Sequence, residues 1–409
     1  MHNHPNGIPI LTGIALAVLG LLSSGTMAVR AEKLRPNLNQ NMYIGTYTGG
    51  ASRGIYRLEF NPATGEMTSP QCVAETPSPS FLALHPSGKW LYAVNEVSDF
   101  KGQKSGAVTA YAVKQGGSEL VQLNQQPTGG AGPCHLTVDR RGRHVLVANY
   151  GGGSVTVLPL DRNGQILPPL GVVQHQGSSV NRQRQAAPHA HGIYLDPPNR
   201  FAFVPDLGLD RIMIYRYDAR RGLLAGSPEP ASIGSAIGER VSCAPLAPGA
   251  GPRHLAIHPS ARWLYVINEL NSTITAFDYD IKQAGLREIQ TVTTLPDGWK
   301  RGNSTAEIAV HPSGRFLYGS NRGHDSIVVY SIQPRTGMLA LRKHVSSGGR
   351  TPRNFAIDLT GEWLCVANQD SDSLRLYRID LMTGDLTATG QTVSVGKPVC
   401  VLFAPSSGE

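Results

Sequence analysis

PRHLAIHPSARWLYVINE, residues 252–269, reads as one short apolar strand, a polar turn and a second apolar strand ending in Asn plus one further residue. The same pattern recurs along the chain. PSFLALHPSGKWLYAVNE starts at Pro79 and PCHLTVDRRGRHVLVANY at Pro133. AHGIYLDPPNRFAFVPDL starts at Ala190, TAEIAVHPSGRFLYGSNR at Thr305 and PRNFAIDLTGEWLCVANQ at Pro352. A half-copy, PVCVLFAPSS, starts at Pro398. The mean spacing is about 53 residues, close to the period of a β-propeller blade. Each unit alternates apolar and polar residues at period two, as a half-buried antiparallel strand does. Turns of the HPSG type let the chain reverse between the first two strands, and a third strand of the type VTAY or IVVY follows.

The ends of the chain settle the number of blades. The half-copy at Pro398 supplies a first strand alone, and MYIGTYTGGASRGIYRLEF, residues 42–60, supplies a second and a third. The expected fold is therefore all-β: a seven-bladed propeller of four-stranded antiparallel blades. The N- and C-terminal strands share one blade and close the ring. A blade cannot bury both faces alone, so stacking around an axis is what makes it stable.

Composition agrees with that fold. The chain has 409 residues, with 46 Gly and 29 Pro, a turn-rich mixture that suits short strands. Only 16% of residues are charged, and 40% are apolar, which argues against disorder and against long surface helices. The net charge of +8 comes from scattered Lys and Arg without a basic block. The plain reading is a basic soluble surface and the sharper one a cationic pocket for a small anion; no nucleic-acid motif appears. Five cysteines, far apart and without CxxC spacing, read mostly as small buried hydrophobes.

The expected organisation is a signal peptide over 1–31, a linker over 32–40, the propeller over 41–405 and a tail over 406–409. Ile10–Leu22 is a short apolar run followed by small residues, with cleavage expected after Ala28 or Ala31. No Lys or Arg precedes the run, only His2 and His4. The expectation is a periplasmic or secreted protein with no membrane association once the signal is removed, the alternative being a cytoplasmic one. A monomer is expected.

In a propeller the first strands line the axial channel, and loops at one end form the binding face. Aligning the copies puts two rings of residues at that mouth. The first-strand entrances are Ser80/Phe81, Cys134/His135, His191/Gly192, Arg253/His254, Ala306/Glu307 and Arg353/Asn354. The second-strand ends are Thr46/Tyr47, Asn95/Glu96, Asn149/Tyr150, Asp206/Leu207, Asn268/Glu269, Asn321/Arg322 and Asn368/Gln369. Charged and imidazole groups are costly to bury unless paired or functional, so their concentration at one end marks a polar mouth. The recurring Asn reads as a structural cap. Its variable neighbours Glu96, Glu269 and Arg322 read as site residues. His85, His258 and His311 belong to structural turns.

The ordered set of segments resembles the seven-bladed propeller lactonases, the family of bacterial 6-phosphogluconolactonases and the fungal carboxymuconate lactonising enzyme. The resemblance spans about residues 41–405. It rests most specifically on GSSVNRQRQAAPHAHG (177–192), PDLGLDRI (205–212) and GPRHLAIHP (251–259). It implies lactone chemistry by a His, a Glu and two Arg. The matching positions are His191, Glu269, Arg253 and Arg322, with Arg353 the alternative for the last. His191 or Glu269 would be the base, and Arg253 would face the developing oxyanion. Arg184, Arg322 and Arg353 would grip an anionic tail. His135, His189, His254 and Glu96 complete the expected substrate contacts. His189 and His191 are two apart on an expected strand and could join His135 around a metal, but no acidic cluster accompanies them. No metal and no cofactor are expected.

The expected activity is hydrolysis of a sugar lactone to its hydroxy acid. An exported enzyme would rarely meet a phosphorylated sugar, so an unphosphorylated or different acidic lactone is also expected. The alternatives are a non-enzymatic propeller that binds a ligand or partner protein, and a lactonising cycloisomerase using the same residues. The loops 174–188 and 233–251 are expected to shape the pocket.

Overall fold

A computed structural model describes residues 39–225 and 242–405; the expected signal peptide and the tail lie outside these residues. The described chain forms seven antiparallel sheets; neighbouring strands are consecutive in sequence except at two split fourth strands and where the C-terminal strand joins the N-terminal one. Blade four shows the plan: Pro252–Ile257, Trp263–Asn268, Thr273–Asp280 and Gly285–Thr293 run from the axis outward. Blades one, two, three, five and six begin at Leu82, Pro133, Tyr194, Ser304 and Pro352. Blade seven takes its innermost strand, Pro398–Pro405, from the C-terminus. Its second strand, Gln40–Thr46, and its third, Gly54–Asn61, come from the N-terminus. The closing register is antiparallel, from Gln40 opposite Pro405 to Gly45 opposite Cys400.

The fourth strand of blade seven is split into Glu66–Met67 and Gln71–Glu75. Pro70, which lacks an N–H, lies in the gap. Blade three is split as well, into Leu223–Leu224 and Ser242–Pro245.

The alternating pattern expected of half-buried strands gives way to burial on both faces. Trp263–Asn268, Trp363–Asn368 and His144–Asn149 are buried at every position. The reason is architectural: each sheet has a neighbouring sheet on either side. The apolar residues accordingly gather into clusters between adjacent blades. Phe203 and Ile214 of blade three meet Leu264 and Phe277 of blade four. Met42, Phe60 and Phe403 of blade seven meet Trp363 and Leu376 of blade six.

Polar bonds repeat across the same seams. In the HPSG-type turns the imidazole Nδ1 accepts from the backbone N–H two residues on, which leaves Nε2–H as the donor. His85, His258 and His311 then donate to the carbonyls of Gly142, Gly314 and Gly361 on the next blade, at 3.1, 2.9 and 2.7 Å. The hydroxyls of Tyr92, Tyr265, Tyr318 and Tyr43 reach the carbonyls of Gly164, Gly337, Gly384 and Gly117 in the same sense. The recurring Asn is a cap as expected: Asn268 Nδ2 donates to Thr273 and Thr275, and Asn149 Nδ2 to Ser154 and Thr156. Cys134, Cys365 and Cys400 are buried, Cys72 is half-buried and Cys243 is exposed.

Phe403, on the closing strand, packs edge-to-face on Phe60 at 5.3 Å between ring centres. Replacing it by Ala is expected to cost about 3–5 kcal/mol. Urea unfolding followed by circular dichroism would show this as a lower midpoint. A loss under 1 kcal/mol would mean that the closing strand contributes little to holding the ring.

Candidate active site at the channel mouth

A β-bulge at the start of most first strands builds the mouth. In blade four Pro252 pairs with Asn268 and His254 with Ile267, so Arg253 is the extra residue. Arg353 is the extra residue in blade six, Cys134 in blade two and Val399 in blade seven. In blade five the shift spans Ala306 and Glu307. Strict alternation would send neighbouring side chains to opposite faces; a bulge re-aims them and bends the strand. This is how Arg253 and His254, adjacent in sequence, both line the pocket.

The pocket is a small, mostly polar recess. Its wall draws on both rings of the repeat: Ser80, Cys134, His191, Arg253, His254 and Arg353 from first-strand entrances, and Tyr47 and Glu96 from second-strand ends. Glu269 and Arg322 sit behind Arg253. Glu269 is only 6% exposed and binds three guanidiniums: Arg184 Nη2 at 2.6 Å, Arg322 Nη2 at 2.9 Å and Arg253 Nε at 3.1 Å. Burial opposes its ionisation, but Arg322, Arg253 and Arg184 overcome that and hold its pKa down to about 2. A carboxylate so engaged is a poor proton acceptor near neutral pH. Its chemical service is to bring three cations together.

Those cations are held differently. Arg253 also donates through Nη1 to Ala306 O at 2.8 Å. Arg322 Nη2 donates to Thr305 O at 2.7 Å, its Nε is buried without a partner, and burial lowers its pKa to about 10. Arg184 is the rim member, with its side chain 41% exposed. It rides on the loop 174–188, and Asp210 ties that loop down. Asp210 accepts from Ser179 Oγ, Gln185 Nε2, Gly249 N and Gly251 N at 2.6–2.7 Å. One buried carboxylate thus joins the Arg184 loop to the segment entering Arg253. The loop 233–251 is described from Ser242 onward, and its last residues shape the mouth through this link.

Arg353, on the first strand of blade six, lines the same pocket. Its Nη2 donates to Tyr47 Oη at 2.8 Å, and its guanidinium stacks over the Tyr47 ring. Among the described residues no carboxylate stands within ion-pair distance of Arg353. Glu96 accepts from Tyr47 Oη at 2.9 and 3.0 Å and from Ser80 Oγ.

The imidazoles are dry. Burial, followed by nearby positive charge from Arg253, pushes His191 and His254 well below the usual histidine range, so both are neutral. Burial and His254 do the same to His135. His135 is packed between Phe81 and Tyr194, beneath the pocket wall, and its Nδ1 accepts from Ile193 N. His189 stacks on Tyr150 and donates from Nδ1 to the Tyr150 carbonyl at 3.0 Å. The PHAH segment is not a strand. Ala190 makes a single bridge to Asp206, and the strand begins at Tyr194. His189 and His191 therefore diverge: His189 fastens the loop, and His191 enters the pocket. Among the described residues no group of three or more His, Cys, Asp or Glu is placed to hold a metal ion.

One residue of the entrance ring, given no role from the sequence, belongs to the site's surroundings. Glu307 is buried, accepts from Ile308 N and Asn354 Nδ2, and stands 3.1 Å from His254 Nδ1. Burial, opposed by Arg253, raises its pKa to about 6. The available signal was its place in the aligned repeat, where it is the one carboxylate at a first-strand entrance.

A family model described as "Lactonase, 7-bladed beta-propeller" matches residues 41–403. The 6-phosphogluconolactonase of Bacillus subtilis (strain 168) is 36% identical over 361 residues, 88% of this chain and 97% of that protein. The 6-phosphogluconolactonase of Formosa agariphila is 31% identical, covering 87% and 96%. The solved structure of a Pseudomonas aeruginosa periplasmic gluconolactonase superposes with a TM-score of 0.81 at 32% identity, over 90% of this chain and all of that one.

The Glu269 cluster makes acid stability diagnostic. Its folded pKa, about 2, lies below the ordinary 4.5. Its stabilising contribution is therefore complete above about pH 4.5 and is lost as pH falls towards 2. Removing the charge leaves three cations uncompensated, so Glu269→Gln is expected to lose about 3–5 kcal/mol at pH 7. It should also flatten the acid dependence, read by urea unfolding at pH 3, 5 and 7. Equal losses for the variant and wild type between pH 5 and 3 would contradict the pairing.

Proposed function

The chain belongs to the seven-bladed β-propeller lactonase family, and from that premise we propose that it hydrolyses a sugar lactone, as a 6-phosphogluconolactonase does, at this mouth. The observation that carries the reading is the pocket itself: the guanidiniums of buried Arg253 and half-buried Arg353 and the neutral imidazoles of His191 and His254 converge on it. Hydrolysis of a cyclic ester needs a positioned water, a partner for the carbonyl oxygen as it becomes negative, and a hold on the rest of the sugar. Arg253, fixed by Glu269 and Ala306 O, is the rigid donor aimed at the oxyanion. Neutral His191 accepts a hydrogen bond from the attacking water and orients it. Glu269 anchors the cations, and Arg322 reinforces the positive field. Arg353 and Arg184 bind the acidic or hydroxylated tail, and His254 with Glu96 completes the sugar contacts.

The four arginines outnumber Glu269 and Glu96, so the mouth favours an anionic or oxygen-rich ligand. The apolar run Ile10–Leu22 supports export of the chain. A Pseudomonas aeruginosa protein of the same fold is a periplasmic gluconolactonase. The reading accordingly includes an unphosphorylated or other acidic lactone outside the cytoplasm as substrate.

Purified protein is expected to accelerate opening of glucono-δ-lactone or its 6-phosphate above the spontaneous rate, followed as acid release in a pH-stat. Arg253→Met should lower kcat by about 10²–10³-fold, the usual effect of losing an oxyanion donor. No acceleration of any sugar lactone, together with retained binding of sugar acids, would instead identify a binding propeller.

A further inference from the structure

We propose that Glu96 is the catalytic residue that carries the proton during lactone opening, and that Glu269 is excluded from that step. The proposal rests on the lactonase reading above. The two carboxylates occupy the same place in the repeat, directly after the capping Asn95 and Asn268 at the ends of second strands. Their surroundings differ in three ways.

First, Glu96 lines the pocket, whereas Glu269 lies behind its wall. Second, Glu269 is bound by three guanidiniums, while Glu96 accepts hydrogen bonds from two neutral hydroxyls, those of Tyr47 and Ser80. A carboxylate has about four acceptor directions. Tyr47 approaches both oxygens of Glu96 and Ser80 approaches Oε2, so one direction on Oε1 is left for a water. Third, the charged and titratable groups that face Glu96 come from separate blades and stand off. Arg353 on blade six spends its Nη2 on Tyr47, Arg253 on blade four is bonded to Glu269, and Cys134 on blade two is a buried thiol. Burial pushes the Glu96 carboxyl up, with Arg353 opposing, while the clustered arginines push Glu269 down. Two carboxyls driven apart by their environments divide the work between proton transfer and electrostatics.

The step balances without a cofactor. A water lone pair forms the new C–O bond to the lactone carbonyl carbon, and a water proton passes to Glu96. The carbonyl π pair moves onto oxygen beside Arg253. Collapse of the adduct breaks the ring C–O bond, and the leaving alkoxide takes the proton back from Glu96. One water has been added, and the carboxylate is restored.

The test compares wild type, Glu96→Gln, Glu96→Asp and Glu307→Gln on glucono-δ-lactone and its 6-phosphate from pH 5 to 8, with thermal unfolding as the control for folding. Glu96→Gln should lower kcat by about 10²–10⁴-fold, the range for losing general acid–base catalysis. It should change KM less than threefold and abolish the acid limb of the pH profile. Glu96→Asp should restore part of the rate with a shifted limb. Glu307→Gln should keep the limb, because Glu307 does not line the pocket and reaches it through His254 and Asn354. A folded Glu96→Gln enzyme that keeps its limb and rate overturns the proposal, as does loss of the limb in Glu307→Gln alone. A wild type without activity on any lactone overturns the lactonase reading and this proposal together. An active wild type separates the two.

Discussion

Every sheet in this protein is apolar on both faces, so each needs a neighbour on either side. A row of such sheets has two bare ends, and joining the ends into a ring removes both. The joint is the antiparallel pairing of the C-terminal strand, 398–405, with Gln40–Thr46. Burying apolar surface at about 25 cal/mol per Å² on both sides of every blade supplies the driving force. Direction comes from bonds that cross the seams: imidazoles and tyrosine hydroxyls of one blade seek glycine carbonyls of the next. Such bonds are worth about 1 kcal/mol each but are expensive to leave unmade, so they select one packing of neighbouring sheets.

Closure also creates the site. With the blades held around one axis, the bulge at the start of a first strand delivers its extra residue to a common mouth. Cations placed there lose water, and each then depends on a counter-charge, a carbonyl or, for Arg353, the Tyr47 hydroxyl. Glu269 answers for three of them. The neutral state of His191 and His254 is the other consequence, since a second charge beside Arg253 in a dry site is unfavourable. The mouth is thus positive through its arginines alone, and its imidazoles remain available as acceptors.

Much of this was legible in the chain. The blade number, the shared blade, the structural histidines of the HPSG turns and the capping asparagines all follow from repetition, because a repeated environment selects the same residue each time. The two rings of candidate residues were legible for the same reason, and the pocket wall is drawn from them. PHAH was misread, since His-Ala-His alternates like a strand, while the backbone there is fixed by Asp206, which accepts from His189 N. Glu307 was passed over because its partner His254 lies 53 residues away and no local pattern announces the pair. Asp210 carries no motif either, although it fastens two loops.

The sequence by itself determined the architecture: seven repeats, their strand order, the closing strand and the end of the channel that carries charge. These are properties of period and position, which a linear string records. Only the tertiary structure decided which charges meet. Arg184 reaches Glu269 across 85 residues, and Arg353 reaches Tyr47 across 306. Glu96 and Glu269 look equivalent in the repeat, yet one receives two hydroxyls and the other three guanidiniums. Electrostatic character depends on distance and on water excluded in space, and a repeat that fixes position within a blade leaves the neighbouring blade's contribution open.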